Sequence, residues 1–242
     1  MRRCWLAAAL GAWLGACDLG QLDSGTCDLP PPVSHTRSRC GPTLDFQRIN
    51  SYAGEFPRVQ VREEAVVLVN GNCTGTLIES GTSLNLVLTA GHCVAANEDV
   101  LVAFNHEDCA DGPTTTVTGR VLERSLAPDY ALVTFDGKAG VLPTPLSRLM
   151  TSELAIIQHP QGLPKVIAEG RFLQVQQGEL RYVDLDTLVG GSGGGVLNTE
   201  GQLVGVHTNG DCGEQGGYNA GWTAEEIVRV SPLLADSVFA LP

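Results

Sequence analysis

The sequence predicts an all-β protein, a β-sandwich or barrel, whose two successive sets of about six strands suggest two β-barrels, followed by a C-terminal helix. Three observations predict it. Short apolar runs rich in Val, Leu and Thr recur along most of the chain. Turn residues separate nearly all of them, and 29 of the 242 residues are glycine. A clear helical period is confined to the last twenty or so residues.

The strand-like runs come in two series. The first is "EAVVLV", "CTGTLIE", "NLVLTA", "DVLVAFN", "TTTVTGRVLE" and "YALVTF". After "DGKAGVLPTPLS" the second is "ELAIIQH", "KVIAEG", "FLQVQQ", "LRYVDL", "GGVLN" and "QLVGVHT". "NTEGQ" between two apolar runs is a hairpin turn. In "TAEEIVRVSPLLADSV" a helix starts at Thr223 or Ala224, and Pro232 interrupts it. The expected organisation is a first barrel over residues 45–137 and a second barrel with the helix over 138–242.

The N-terminus reads differently. "MRR" is a positive n-region and "CWLAAALGAWLG" a short apolar core, so residues 1–16 are read as a secretory signal, too short to span a membrane. "LGAC" is similar to a bacterial lipobox, which implies lipid attachment at Cys17 after cleavage before it. Ordinary secretion is the alternative. A polar tether and a Pro-rich arm, "CDLPPPVSHTRSRCGPT", fill residues 17–44, and the prolines exclude a helix or a central strand there. The expected location is therefore the bacterial cell envelope, through the lipid, or the exterior.

Of eight cysteines, Cys4 leaves with the signal and Cys17 is taken by lipid. Six remain: Cys27, Cys40, Cys73, Cys93, Cys109 and Cys212. An even number in an exported chain implies three disulfides of open connectivity. None of their spacings suits zinc, so no metal and no cofactor is expected. The net charge of −12 argues against nucleic acid as a partner. A peptide or protein substrate and a monomeric state are expected.

Three stretches carry chemistry together. "LTAGHC" presents His92, "PDYALVTF" presents Asp129, and "VGGSGGGV" presents Ser192. A serine that attacks a carbonyl needs a base to take its proton, and the base needs an acid to fix its tautomer and stabilise its charged form. Glycines around Ser192 admit the substrate and let the N–H groups of Gly190 and Ser192 converge as an oxyanion hole. A phosphate loop is excluded, because no lysine follows and no helix opens there.

With these motifs in the order His, Asp, Ser, the chain resembles the trypsin-like serine peptidases, nearest the bacterial lysyl and glutamyl endopeptidases. The likeness runs from about Asp45 to Trp222. It implies two six-stranded barrels with the active site in the cleft between them, His92 and Asp129 coming from the first and Ser192 from the second. It also implies the disulfides Cys73–Cys93, Cys27–Cys212 and Cys40–Cys109. Gly191 stands where animal trypsins have the aspartate that receives a freed N-terminus, so no activating cleavage is expected. Gly195 stands where many members have proline.

For the specificity pocket the resemblance points to Asp186, Thr187 and His207, with Thr208 and Gly210 on an edge that pairs with the substrate backbone. Asp186 favours a basic side chain before the cleaved bond, unless it is a solvated loop carboxylate. His207 matches a residue of both the glutamyl and the lysyl enzymes, and Glu214 is a further acid near the mouth. The competing reading is a catalytically inactive envelope lipoprotein of the same fold that acts as a binding module. An esterase of the α/β type is disfavoured, since it places the histidine after the serine.

Overall fold

In the computed structural model, residues 38–108 and 113–241 are described. The signal segment, Cys17, Cys27 and Cys109 lie outside them.

The first series of runs closes into a barrel. Its strands are β2 (Val66–Val69), β3 (Cys73–Ile78), β4 (Asn85–Thr89), β5 (Asp99–Phe104), β6 (Thr115–Leu126) and β7 (Asp129–Phe135). All pairs are antiparallel, in the closed order β2-β3-β4-β7-β6-β5. The second barrel holds β8 (Glu153–Gln158), β9 (Val166–Gln176), β10 (Glu179–Val183), β11 (Gly195–Asn198), β12 (Leu203–Gly210) and β13 (Asn219–Thr223). It closes through the β8–β9 pair, and the two-residue strand β1 (Gln47–Arg48) adds to its β9 edge.

The second barrel reaches six strands by a different division than the sequence suggests. "KVIAEG" and "FLQVQQ" are one strand, β9, and the sixth strand is β13, "NAGWT". Gly170 looks like a break. In the structure a Cβ there would lie 2.5 Å from the Leu185 nitrogen and 2.6 Å from the Val183 carbonyl oxygen. The glycine marks a close backbone approach inside a strand. In β13 the Asn-Ala-Gly run has poor strand propensity, and tertiary pairing with β10 and β12 overrides it.

Side-chain alternation explains why the central strands read as continuous apolar runs. Val67 and Val69 point into the first barrel with Val87, Val102 and Val133, while Val66 points outward into a separate cluster. Likewise Leu154 and Ile156 fill the second barrel, and Ala155 and Ile157 face outward. The outward cluster is the contact between the barrels, where Leu86, Leu88 and Leu132 meet Ile157, Ile167 and Leu203. Both faces of these strands are dry, so both carry apolar side chains. Ile227 of the C-terminal helix α2 (Ala224–Val230) joins that contact. Thr223 caps the helix by accepting the Glu226 N–H at 3.1 Å. Pro232 then opens a separate 3-10 turn, Pro232–Leu234, because it cannot continue the α-helical ladder. A short helix, α1 (Pro57–Gln60), precedes β2.

Two disulfides lie within the described residues. Cys73–Cys93 forms as expected. The other expected pairings are corrected: Cys212 is bonded to Cys40, which excludes both Cys27–Cys212 and Cys40–Cys109. The reason is the path of the arm. Ser38 N–H donates to the Cys212 carbonyl at 3.0 Å, which lays Cys40 directly against Cys212, with a Cα–Cα distance of 4.9 Å.

Candidate active site

His92 sits on the 3-10 turn Gly91–Cys93 that follows β4. The disulfide from Cys93 to Cys73, at the start of β3, pins that turn to the barrel. Gly91 is required by space: a Cβ there would overlap the Ser125 carbonyl and lie 2.9 Å from Asp129 Oδ1. With no Cβ in the way, Asp129 at the start of β7 grips His92 twice. Oδ1 accepts the His92 backbone N–H at 3.0 Å, and Oδ2 lies 2.6 Å from Nδ1. One carboxylate thereby fixes both the backbone and the ring. That bond holds the His92 pKa above the ordinary imidazole value, against the lowering effects of desolvation and of the Arg124 guanidinium.

The Ser192 loop comes from the second barrel and is sewn to the first. Thr74 of β3 donates its backbone N–H to the Ser192 carbonyl at 2.9 Å and its hydroxyl to the Gly190 carbonyl at 2.7 Å. The same hydroxyl accepts the His159 N–H at 2.9 Å. Within the loop, Gly191 N–H bonds the Leu188 carbonyl and Gly194 N–H the Gly191 carbonyl, at 2.8 and 2.9 Å. The Cys93 sulfur lies 3.7 Å from the Ser192 carbonyl, so the serine backbone flanks the disulfide next to His92. Ser192 itself is half-buried. Among the described residues its hydroxyl has no hydrogen-bond partner, and the link to His92 is open. Catalytic hydrogen bonds are often long before substrate arrives.

The donor groups assigned to the oxyanion hole are positioned by the same loop. The Val189 carbonyl accepts the Gln161 N–H at 2.6 Å. In a trans peptide the next N–H, that of Gly190, then points the opposite way. Among the described residues, neither Gly190 N–H nor Ser192 N–H is taken by a protein acceptor. Gly190 has φ +98°, and a Cβ would lie 2.5 Å from the His159 carbonyl, so a side chain is doubly excluded. Gly195 has its own reason not to be proline: its N–H donates to Thr76 Oγ1 at 3.2 Å.

The pocket residues are placed less openly. Asp186 is buried, and its two oxygens accept the backbone N–H groups of Cys40 and Asp45 at 2.6 and 2.7 Å. It anchors the arm, and the structure holds both its oxygens on backbone amides. Thr187 is fully buried, with its hydroxyl unpartnered. His207 is buried against the Tyr182 hydroxyl, 2.5 Å from Nδ1, and burial pushes its pKa down to about 3. It is neutral and offers no charge to an acidic side chain. Glu214 pairs with Arg39 of the arm. Thr208 is passed over where the β12–β13 register shifts between His207 and Asn209, and β11 covers β12 no further than Val206. The stretch from Thr208 to Gly210 therefore keeps one strand edge beyond the end of β11. His159 is buried and structural, its Nδ1 bonded to the Leu163 carbonyl at 3.0 Å.

Sequence reasoning passed over Thr74. Its only signal was a polar residue inside "CTGTLI", a strand buried at every position. Thr74→Val removes one donor and one acceptor at the joint between the barrels. It is expected to cost about 2–5 kcal/mol in stability. It should also lower kcat more than it raises KM, because the Gly190 peptide loses its anchor. Thermal melts and steady-state kinetics check both.

A family model described as "Trypsin-like peptidase domain" matches residues 73–206. No curated protein matches the chain. Among solved structures, the serine endoprotease from Yersinia pestis superposes with a TM-score of 0.61 at 19% identity, covering 77% of this chain and 69% of that one. The Rv3671c protease, in an inactive form, gives 0.56 at 18% identity, covering 72% and 90%. At such identities the two structures speak for the fold alone.

Proposed function

The chain belongs to the trypsin-like peptidase family, and on that premise we propose that it is a serine endopeptidase. Ser192 attacks the peptide carbonyl and forms an acyl-enzyme. His92 takes the hydroxyl proton and later delivers it to the leaving amine, while Asp129 orients the ring and stabilises its charged form. The N–H groups of Gly190 and Ser192 receive the negative charge that develops on the oxygen. Water then reverses the acyl step and frees the acid. The substrate backbone lies along Thr208–Gly210 as an added strand. The lysyl/glutamyl branch, export, and anchorage through a lipid on Cys17 are part of the same reading and rest on sequence motifs.

The observation that carries the proposal is the double grip of Asp129 on His92, at 3.0 and 2.6 Å, beside a serine loop held against the same disulfide. A fluorophosphonate probe is expected to label the oxidised, folded protein and to leave Ser192→Ala unlabelled. Equal labelling of the two, or none of the wild type, removes the enzyme reading. The second reading is a non-catalytic binding module, and the unpartnered Ser192 hydroxyl favours it. Its signature is folded wild type that the probe never labels.

A further inference from the structure

The arm enters the space between the two walls assigned to the specificity pocket. One wall is Asp186–Thr187 and the other Thr208–Gly210. Ser38 lies between them. Its carbonyl accepts the Thr187 N–H at 3.0 Å from the first wall, and its N–H reaches the Cys212 carbonyl just past the second. A Cβ built on Gly210 would overlap the Ser38 side chain, so the face of Gly210 that a substituent would fill is already filled by this serine. Asn219 seals the base: its Nδ2 donates to the Ser38 and Leu185 carbonyls at 2.9 Å, and its Oδ1 accepts the Asp211 and Cys212 N–H groups at 3.0 Å. As a result Asp186, Thr187, His207 and Thr208 are only 0–5% exposed.

This occupant is built in. The Cys40–Cys212 bond, the Arg39–Glu214 ion pair and the two amides on Asp186 all fasten the arm within eight residues of Ser38. Ser38 remains half-buried, so part of it faces open space.

We propose that Ser38 is a specificity-determining residue that forms the floor of the primary pocket and restricts the residue before the cleaved bond to glycine, alanine or serine. The proposal rests on the serine-peptidase reading and adds its substrate class. A long side chain would have to displace a residue held from both walls, and a charged one would find no partner, because Asp186 is engaged by the arm and His207 is neutral. A methyl or hydroxymethyl group needs only the shallow space above Ser38.

The test uses the full mature protein with its disulfides intact. Peptide anilides that differ only at the residue before the bond are compared: alanine, serine, leucine, phenylalanine, lysine and glutamate. Alanine and serine are expected to exceed the rest in kcat/KM by more than about 10-fold, as steric exclusion from a pocket allows. Ser38 has φ +78°, a conformation that suits glycine and tolerates asparagine. Ser38→Gly should therefore fold as well as the wild type and shift the alanine-to-leucine ratio toward leucine by about 10-fold. Ser38→Asn should lose alanine hydrolysis while Ser192 still reacts with the small fluorophosphonate. Labelled wild type that cleaves after lysine, glutamate or phenylalanine as fast as after alanine overturns the floor and leaves the peptidase standing. Ratios that neither Ser38 variant moves do the same. Absence of labelling overturns both.

Discussion

Asp129→Asn is expected to lower kcat/KM by about four orders of magnitude while leaving the fold intact. The amide preserves the shape of the carboxylate, and its oxygen can still accept the His92 backbone N–H at the position now 3.0 Å away. What it loses is the second oxygen. An NH2 group facing Nδ1 forces the ring into the tautomer whose Nε2 carries the proton, and such a ring cannot take one from Ser192. The pH profile separates this from general damage. Protonated His92 cannot act as base, so wild-type activity falls as pH drops through the His92 pKa. The Asp129 hydrogen bond is the largest cause holding that value up. The acid limb of the wild type is thus expected above pH 6.5, the ordinary imidazole value, and that of the variant should move down. A profile in which the rate falls but the limb stays in place would mean that Asp129 does not set the His92 charge.

Lys165→Met is expected to be the most damaging single change away from the site, at about 3–5 kcal/mol. Lys165 is fully buried just before β9. Its ammonium donates to the Glu63 carbonyl at 2.7 Å and pairs with the carboxylates of Glu63 and Glu107, each at 2.5 Å. Glu63 and Glu107 also contact each other, and burial is the largest cause that raises Glu63 to about 7, while its neighbours lower Glu107. The cluster ties the segment before β2 and the loop after β5 to the second barrel, so its loss loosens the frame of the cleft. The sign with pH follows from the carboxylates. Glu63, with a folded pKa raised above 4.5, binds more protons folded than unfolded, so its contribution declines as pH rises toward about 7. Without the ammonium both acids become harder to ionise in the folded state. The stability gap between variant and wild type should therefore widen from pH 5 to pH 8, which urea melts at the two values would measure. A gap that shrinks with rising pH would count against this account.

Legibility in the sequence followed a simple physical line. The six strands of the first barrel stand where their apolar runs predict them, and so does the capped helix after Thr223. Each of these rests on local pattern plus a nearby turn. In the second barrel the count of strands came out right through two offsetting differences, at Gly170 and at Asn219. Gly170 is a glycine because another backbone passes against it, and Asn219 belongs to a strand because its backbone pairs with Tyr182 of β10 and Gly210 of β12. Both reasons involve residues distant along the chain. The disulfides divide the same way. Cys73 and Cys93 are neighbours through a β3–β4 hairpin, whereas the partner of Cys212 depends on the path of an arm without strand or helix pattern.

The order of His92, Asp129 and Ser192, the glycines around the serine, and the β-rich class were all determined by the sequence itself. Those features are local: an apolar period of two, a residue type that chemistry demands, a glycine where no side chain fits. Tertiary structure alone decided that Thr74 joins the two barrels at the serine loop, that Asp186 spends both oxygens on backbone amides, and that Ser38 stands between Thr187 and Gly210. A carboxylate reads the same in sequence whether it faces a substrate or an amide, because its partner is chosen by where distant segments come to rest.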